Sequence, residues 1–266
     1  VKKLLGLLFL MLLLAACGNN TPEESSTDHS ETENKEAATS ENENEEVETE
    51  VEADEEAAAS LSSLASCEGI LFEVGKTIEG KQLAACMADA MIAAGTGSHK
   101  AISSTGTTMV DFQWNPDFSM HVKSQDMSVI VDGDTGWMNM PDVGWVEETD
   151  EPRTGEQVIA SNVIKLTRVL GHPLIIAENF AQAPTWHVVE QASVPDADAF
   201  VDTAWHLVPE EPINLLGTTL TDVQLWVTNN YLGAYYIATA TIGEVSETTS
   251  NTFTQWGGPV HIPSPE

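Results

Sequence analysis

The sequence predicts an α+β fold in which an antiparallel sheet packs on helices. Residues 110–146 alternate apolar and polar side chains with a period of two, broken by turn signals. Segments 77–94 and 157–182 change to helical spacing. Period two then returns between Trp186 and Trp256. One polar face on each strand marks an antiparallel meander with a single buried side.

In chain order, Thr77 to Ala94 reads as a helix and its approach. Leu83, Met87, Ala90, Met91 and Ala94 recur at helical spacing, and Gly95 with Gly97 stops the run. Val110, Phe112 and Trp114 share one face of a strand, opposite Asp111 and Gln113. Asn115-Pro116-Asp117 is a turn signal. Phe118, Met120 and Val122 alternate with Ser119, His121 and Lys123 on the next strand. Val129 to Val131 and Trp137 to Met140 are further strands, joined by a hairpin turn within Asp132 to Gly136. Trp145-Val146 extends the sheet. Val158, Ile159, Asn162, Val163, Leu166, Val169 and Leu170 form one helical stripe. Gly171-His172-Pro173 breaks it, and Leu174 to Ala181 makes a second, short helix. Trp186 to Gln191 pairs with Thr203 to Val208. Thr219 to Thr228 pairs with Tyr231 to Ile242 through Asn229-Asn230, which tolerates positive φ. Val245 to Trp256 is the last long strand.

Ahead of this domain the chain has a different character. Lys2 and Lys3 precede an apolar run from Leu4 to Leu14, then small residues and a cysteine. That order is a secretory signal. The run is too short for a spanning helix, which needs about 20 residues. Leu14-Ala15-Ala16-Cys17-Gly18 resembles the lipobox of bacterial lipoproteins. The resemblance implies cleavage before Cys17 and acylation of its thiol, so residues 1–16 are a signal peptide. Partnership with a membrane then runs through acyl chains, at about 0.8 kcal/mol per buried CH₂. The expected location is the extracytoplasmic face of a cell membrane, in a Gram-positive-type envelope.

Residues 17–60 read as an acidic tether. Sixteen acidic residues lie between Glu23 and Glu56, against the single base Lys35. Such a stretch buries too little apolar surface to offset its chain entropy. The folded domain is therefore placed at 61–266. From residue 57 onward the net charge is still −19. This argues against nucleic acid as a partner, because phosphate binding needs clustered Lys and Arg. Solubility through net charge and adaptation to high salt both account for the acidity.

With Cys17 set aside, Cys67 and Cys86 remain as an even pair, and an exported chain sits where disulfides persist. We expect them to be bonded. The seven histidines are dispersed, with no pair at i, i+4, so no metal site is expected. Asp132-Gly133-Asp134 lacks the remaining ligands of a calcium loop. No G-x-S-x-G elbow occurs, and no carboxylate pair stands out as general acid and base. We expect neither an enzyme nor a bound cofactor.

The order of signal, tether, helix, strands, helix pair and strands resembles the LppX/LprG-type lipoproteins, which share the half-barrel fold of the carriers LolA and LolB. The resemblance covers roughly residues 65–263. It is carried by VDGDTGWMNMPDVGWV (Val131 to Val146) and FTQWGGPVHIP (Phe253 to Pro263). It implies a curved sheet over helices, an apolar cavity that holds acyl chains, and no catalytic residues. Alternation then places Val110, Phe112 and Trp114 with Phe118, Met120 and Val122 on one side of the sheet, toward the helix Val158 to Leu170. These six are the expected cavity lining. Core packing is the plainer account of the same side chains, since cores normally take such residues. The function expected is an anchored lipoprotein that binds a lipid or other amphiphile. The alternative is an envelope sensor or protein-interaction module on the same fold.

Overall fold

The structure is a computed structural model. It describes residues 64–215, 218–243 and 245–265. The signal peptide, Cys17 and the acidic tether lie outside the described residues.

After a 3₁₀ turn at Ala65–Cys67 come β1 (Thr77–Glu79), α1 (Gly80–Ala94), β2 (Thr96–Ser103), β3 (Gly106–Gln113), β4 (Ser119–Lys123), β5 (Ser128–Asp132), β6 (Thr135–Met140) and β7 (Gly144–Glu147). Helices α2 (Gly155–Leu170) and α3 (Pro173–Ala181) follow. The chain closes with β8 (Thr185–Ser193), β9 (Thr203–Pro209), β10 (Ile213–Leu215), β11 (Thr218–Val227), β12 (Gly233–Ile242) and β13 (Val245–Trp256). The strands form one open 13-stranded sheet in the order β1-β8-β9-β11-β12-β13-β2-β3-β4-β5-β6-β7, with β10 on β11. Every pairing is antiparallel. The α+β class and the open antiparallel sheet over helices agree with the sequence.

The helices divide the inner face of the sheet between two apolar clusters. The first joins α1, through Leu83, Met87, Ala90 and Met91, to Ala177 of α3 and to Trp186, Val188, Leu207, Leu225 and Ala238 of the sheet. The second joins α2, through Ala160, Val163 and Ile164, to Val110, Phe112, Met120, Val129, Val131 and Met138. Cys67 and Cys86 are bonded across 19 positions, with Cα atoms 4.6 Å apart. The bridge ties the 3₁₀ turn to the buried side of α1 inside the first cluster.

Three expectations need correction. The helix stops at Gly95 as expected, but residues 96–103 then form a full strand that the sequence reading did not assign, and β3 starts at Gly106, ahead of Val110. TGSHKAIS is polar and small, so it lacks the branched apolar signal of a strand. On α2, Val158, Ile159 and Val169 are exposed, at 43, 52 and 46%. Small Ala160 and Ser161 face inward with Val163, Ile164, Leu166 and Leu170. Ser161 Oγ accepts the Thr149 amide at 2.9 Å, which satisfies a hydroxyl on the buried side. In the β11–β12 connection Tyr231 takes positive φ, not either asparagine. Its ring lies 5.6 Å from Phe72, and that packing offsets the backbone cost.

Candidate functional site

The register assembles the site across the middle of the sheet. Cross-strand partners share a face. Tyr236, Asn251, Ala101 and Thr108 form one inner-face row over β12, β13, β2 and β3. The next row is Phe253, His99, Val110, Val122, Val129, Met138 and Val146. A third runs Trp256, Gly97, Phe112, Met120, Val131 and Gly136.

These rows cross from a filled region into an open one. Under α2 there is no gap. A Cβ on Gly136 would collide with Ile164 Cγ2, and one on Gly171 with Met120 Cε. Val110, Phe112 and Met120 are therefore core, not cavity lining; α2 seals their face. Phe118 and Val122 are half-buried against the same cluster. Of the six expected lining residues, Trp114 alone touches both clusters, and Trp256 does the same.

Those two tryptophans stand at the seam between the clusters. Their rings are 5.9 Å apart. Trp114 Nε1 donates to the Gly171 carbonyl at 2.8 Å, and Trp256 Nε1 to the Gly233 carbonyl at 2.8 Å. One indole is thus fixed to the end of α2 and the other to the sheet. Phe112 stacks on Trp114 at 4.4 Å, and Phe253 on Trp256 at 4.8 Å. Gly97 admits this arrangement: a Cβ there would lie 2.5 Å from Phe112 Cζ. Together the rings close one end of the seam.

Above the rings lie His99 and Tyr236. His99 sits 5.4 Å from Phe253 and 6.2 Å from Phe112. Burial pushes its imidazole down to about 4, against an opposing pull from the Asp111 charge. Tyr236 meets Phe180 of α3 edge to face at 5.5 Å, and burial pushes its hydroxyl above the usual phenol range. Yet both residues are only half-buried, as are Asn251 and Phe253. These four side chains lie on the inner face of β12, β13 and β2, and solvent still reaches them.

Alternation points to β3 and β4, but the half-buried residues His99, Tyr236, Asn251 and Phe253 lie on β2, β12 and β13. The available signal was the inner-face triplet Gly97, His99 and Ala101, too small to fill a core. A second recess is polar and shallow, lined by Asp134, Glu147, Glu148, Asp150, Lys165 and Arg168. There Arg168 pairs with Glu148 and donates to the Gly133 carbonyl, tying α2 to the β5–β6 turn. Among the described residues no grouping of His, Cys, Asp or Glu could hold a metal. No helix among them is long and apolar enough to cross a membrane.

No protein-family profile and no curated protein matches the chain. Solved structures do. LprF from Mycobacterium bovis is 11% identical, covers 70% of this chain and 96% of its own, and gives a TM-score of 0.41. The lipoprotein LppX of Mycobacterium tuberculosis is 10% identical, with 68% and 98% covered and a TM-score of 0.40. A LolA-superfamily protein from Nitrosomonas europaea is 10% identical, with 69% and 96% covered and a TM-score of 0.26. LppX and the LolA superfamily are among those that the sequence resemblance names; LprF is not. Identity this low speaks to fold alone, and nothing about ligand or role follows from it.

Proposed function

We propose that the chain is an exported lipoprotein whose domain binds an amphiphile without covalent chemistry. Acyl chains on Cys17 hold it on the extracytoplasmic face of a membrane, with residues 17–60 as the tether. The apolar part of the ligand lies between the two clusters, against Phe253, Trp256 and Trp114. The observation that carries this reading is the pair His99 and Tyr236, deep on the inner face yet still solvent-touched. An ordinary core side chain at such depth has no accessible surface, as with Trp186 and Leu225.

Native mass spectrometry of the protein from its own host, followed by organic extraction, tests the reading. A bound amphiphile in stoichiometric amount is the expected result. A ligand-free protein that also binds no added acyl probe would overturn it. Acyl labelling that persists in Cys17→Ala would remove the anchor from the proposal.

A second reading is a protein-interaction module. It is favoured by Val158, Ile159 and Val169, which α2 turns outward, and by exposed Leu174 beyond them. Loss of a copurifying protein in Ile159→Lys, with the amphiphile retained, would favour it.

A further inference from the structure

Beyond β13 the chain turns onto the outer face of the sheet, opposite the helices. Gly257 and Gly258 both take positive φ, and residues 259–265 run on without secondary structure. Thr96 of β2 fixes the turn. Its carbonyl accepts from the Gly257 amide at 2.9 Å, and its Oγ1 donates to the Gly258 carbonyl at 2.7 Å. Gln255, the cross-strand partner of Ser98, donates through Nε2 to the Gly257 and Pro259 carbonyls at 2.8 and 3.2 Å. Past Pro259 no hydrogen bond to a described residue holds the segment.

Ser98, Asp111, His121, Ile130 and Trp137 form one outer-face row over β2 to β6. Ile130 is 1% exposed, although α2 packs on its neighbours Val129 and Val131 from the other side. The C-terminal segment is the element that reaches it. Three extended residues past Gly258 span about 10 Å, the width of two strand spacings, which sets His261 over β4. An unfavourable effect of the His261 charge on His121 agrees with that path. Ile262 then falls over β5, and Val260, Ile262 and Pro263 are half-buried.

His121 lies beneath this segment. Its Nε2 is 2.9 Å from Ser128 Oγ of β5, and Ser98 Oγ donates to Asp111 Oδ1 beside it at 2.5 Å. Burial holds its imidazole below the usual value of 6.5; Asp111 of β3 pulls it up, while Lys123 of β4 and His261 of the segment push it down. Lifting the segment lets water reach the ring and takes the His261 charge away, so the uncovered state binds a proton more readily. The segment therefore stays seated above pH 6.5 and loosens as pH falls below it. We propose that residues 259–265 form an acid-released strap, and that protonation of His121 lifts it from Ile130. Release bares an apolar patch on the face that the amphiphile reading leaves unused.

The test uses the mature chain, residues 17–266, produced without acylation. Methyl NMR should show a contact between Ile130 and Ile262 at about pH 7.5 that weakens about threefold or more by about pH 5. His121→Gln and His121→Asn can still bond Ser128 but take no proton, and should keep the contact at both pH values. Val260→Asn combined with Ile262→Asn strips the apolar grip of the strap without adding charge. In that variant His121 should titrate closer to 6.5 than in wild type. No contact between Ile130 and Ile262 at about pH 7.5 would overturn the strap. A contact that survives acid in wild type, or that is lost equally in the His121 variants, would overturn acid release. A His121 titration unchanged in the double variant would break the link between the two.

Discussion

Over β4 to β6 the inner face of the sheet meets α2 without a gap, whereas over β12, β13 and β2 solvent still reaches Tyr236, Asn251, Phe253 and His99. The two regions share strand geometry, hairpin connections and register. Their difference lies in what the inner-face residues can fill. Val129, Val131 and Met138 reach Ala160, Val163 and Ile164 and leave no space. Over β2 the Phe112 ring covers Gly97, while His99 and Asn251 stay half-buried. One sheet thus holds a conventional core beside the region where we propose that the ligand binds. The boundary between them is one strand pair wide, from Val110 to His99.

The comparison breaks most directly at Met120. Met120→Glu places an unpaired carboxylate between the sheet and the end of α2. It should cost about 3–5 kcal/mol in urea unfolding. Asn251→Asp in the half-buried region should cost less than about 1 kcal/mol, because solvent reaches that position. Equal costs would mean that the two regions are packed alike.

The disulfide separates the first cluster from the second. It closes a loop spanning 19 positions within the first cluster, and its loss should cost about 3 kcal/mol on the chain-entropy account. In the Cys67→Ala, Cys86→Ala variant, amide exchange should quicken in α1 first and leave α2 protected. Equal loosening of both helices would show one cooperative core in place of two.

The regions also differ in how plainly the sequence shows them. The filled half was legible because bulky residues alternate there: Val110, Phe112, Met120, Val129 and Val131 announce both strand and face. The same alternation misplaced the site. A core and a cavity wall demand the same side chains, so periodicity alone assigned core residues to ligand contact. β2 was missed for the complementary reason. This strand carries Gly97, His99 and Ala101 where a core strand carries valines, and so loses the pattern that identifies strands. The stripe on α2 failed in its own way. Its inward face rests on Ala160 and Ser161, whose small size permits close approach to the sheet, while hydropathy favours Val158 and Ile159.

pH should separate the half-buried region from the core. The folded state holds His99 down to about 4, below its usual value of 6.5. The unfolded chain therefore takes up a proton first as pH falls. His99 contributes nothing unfavourable above pH 6.5, and stability is lost between 6.5 and about 4, by about 3 kcal/mol. His99→Phe removes this loss, so its thermal midpoint should rise relative to wild type across that window. Parallel curves for the two proteins would place His99 in open solvent.

The smallest expected effect concerns the outer face behind the half-buried region. Lys100 of β2 points away from the helices and is only 14% exposed. Its Nζ pairs with Asp196 at 2.8 Å and with Asp198, and Thr252 of β13 donates to Asp196 at 2.7 Å. This network pins the 194–202 loop across β2 and β13, the two strands that carry His99 and Asn251. Burial pushes Asp196 up, but hydrogen bonds from Lys100, the Asp198 amide and Thr252 outweigh it and hold the carboxyl at about 2. A depressed carboxylate contributes stability that is complete above its unfolded value near 3.8 and is lost as pH falls through about 2. Asp196→Asn should therefore be less stable than wild type by about 1 kcal/mol at pH 7, and the two should converge toward pH 2. The variant should also quicken amide exchange in β2 and β13 while β5 and β6 stay protected. Exchange that quickens equally in β5 and β6 would tie the outer-face staple to the whole sheet and erase the boundary at His99.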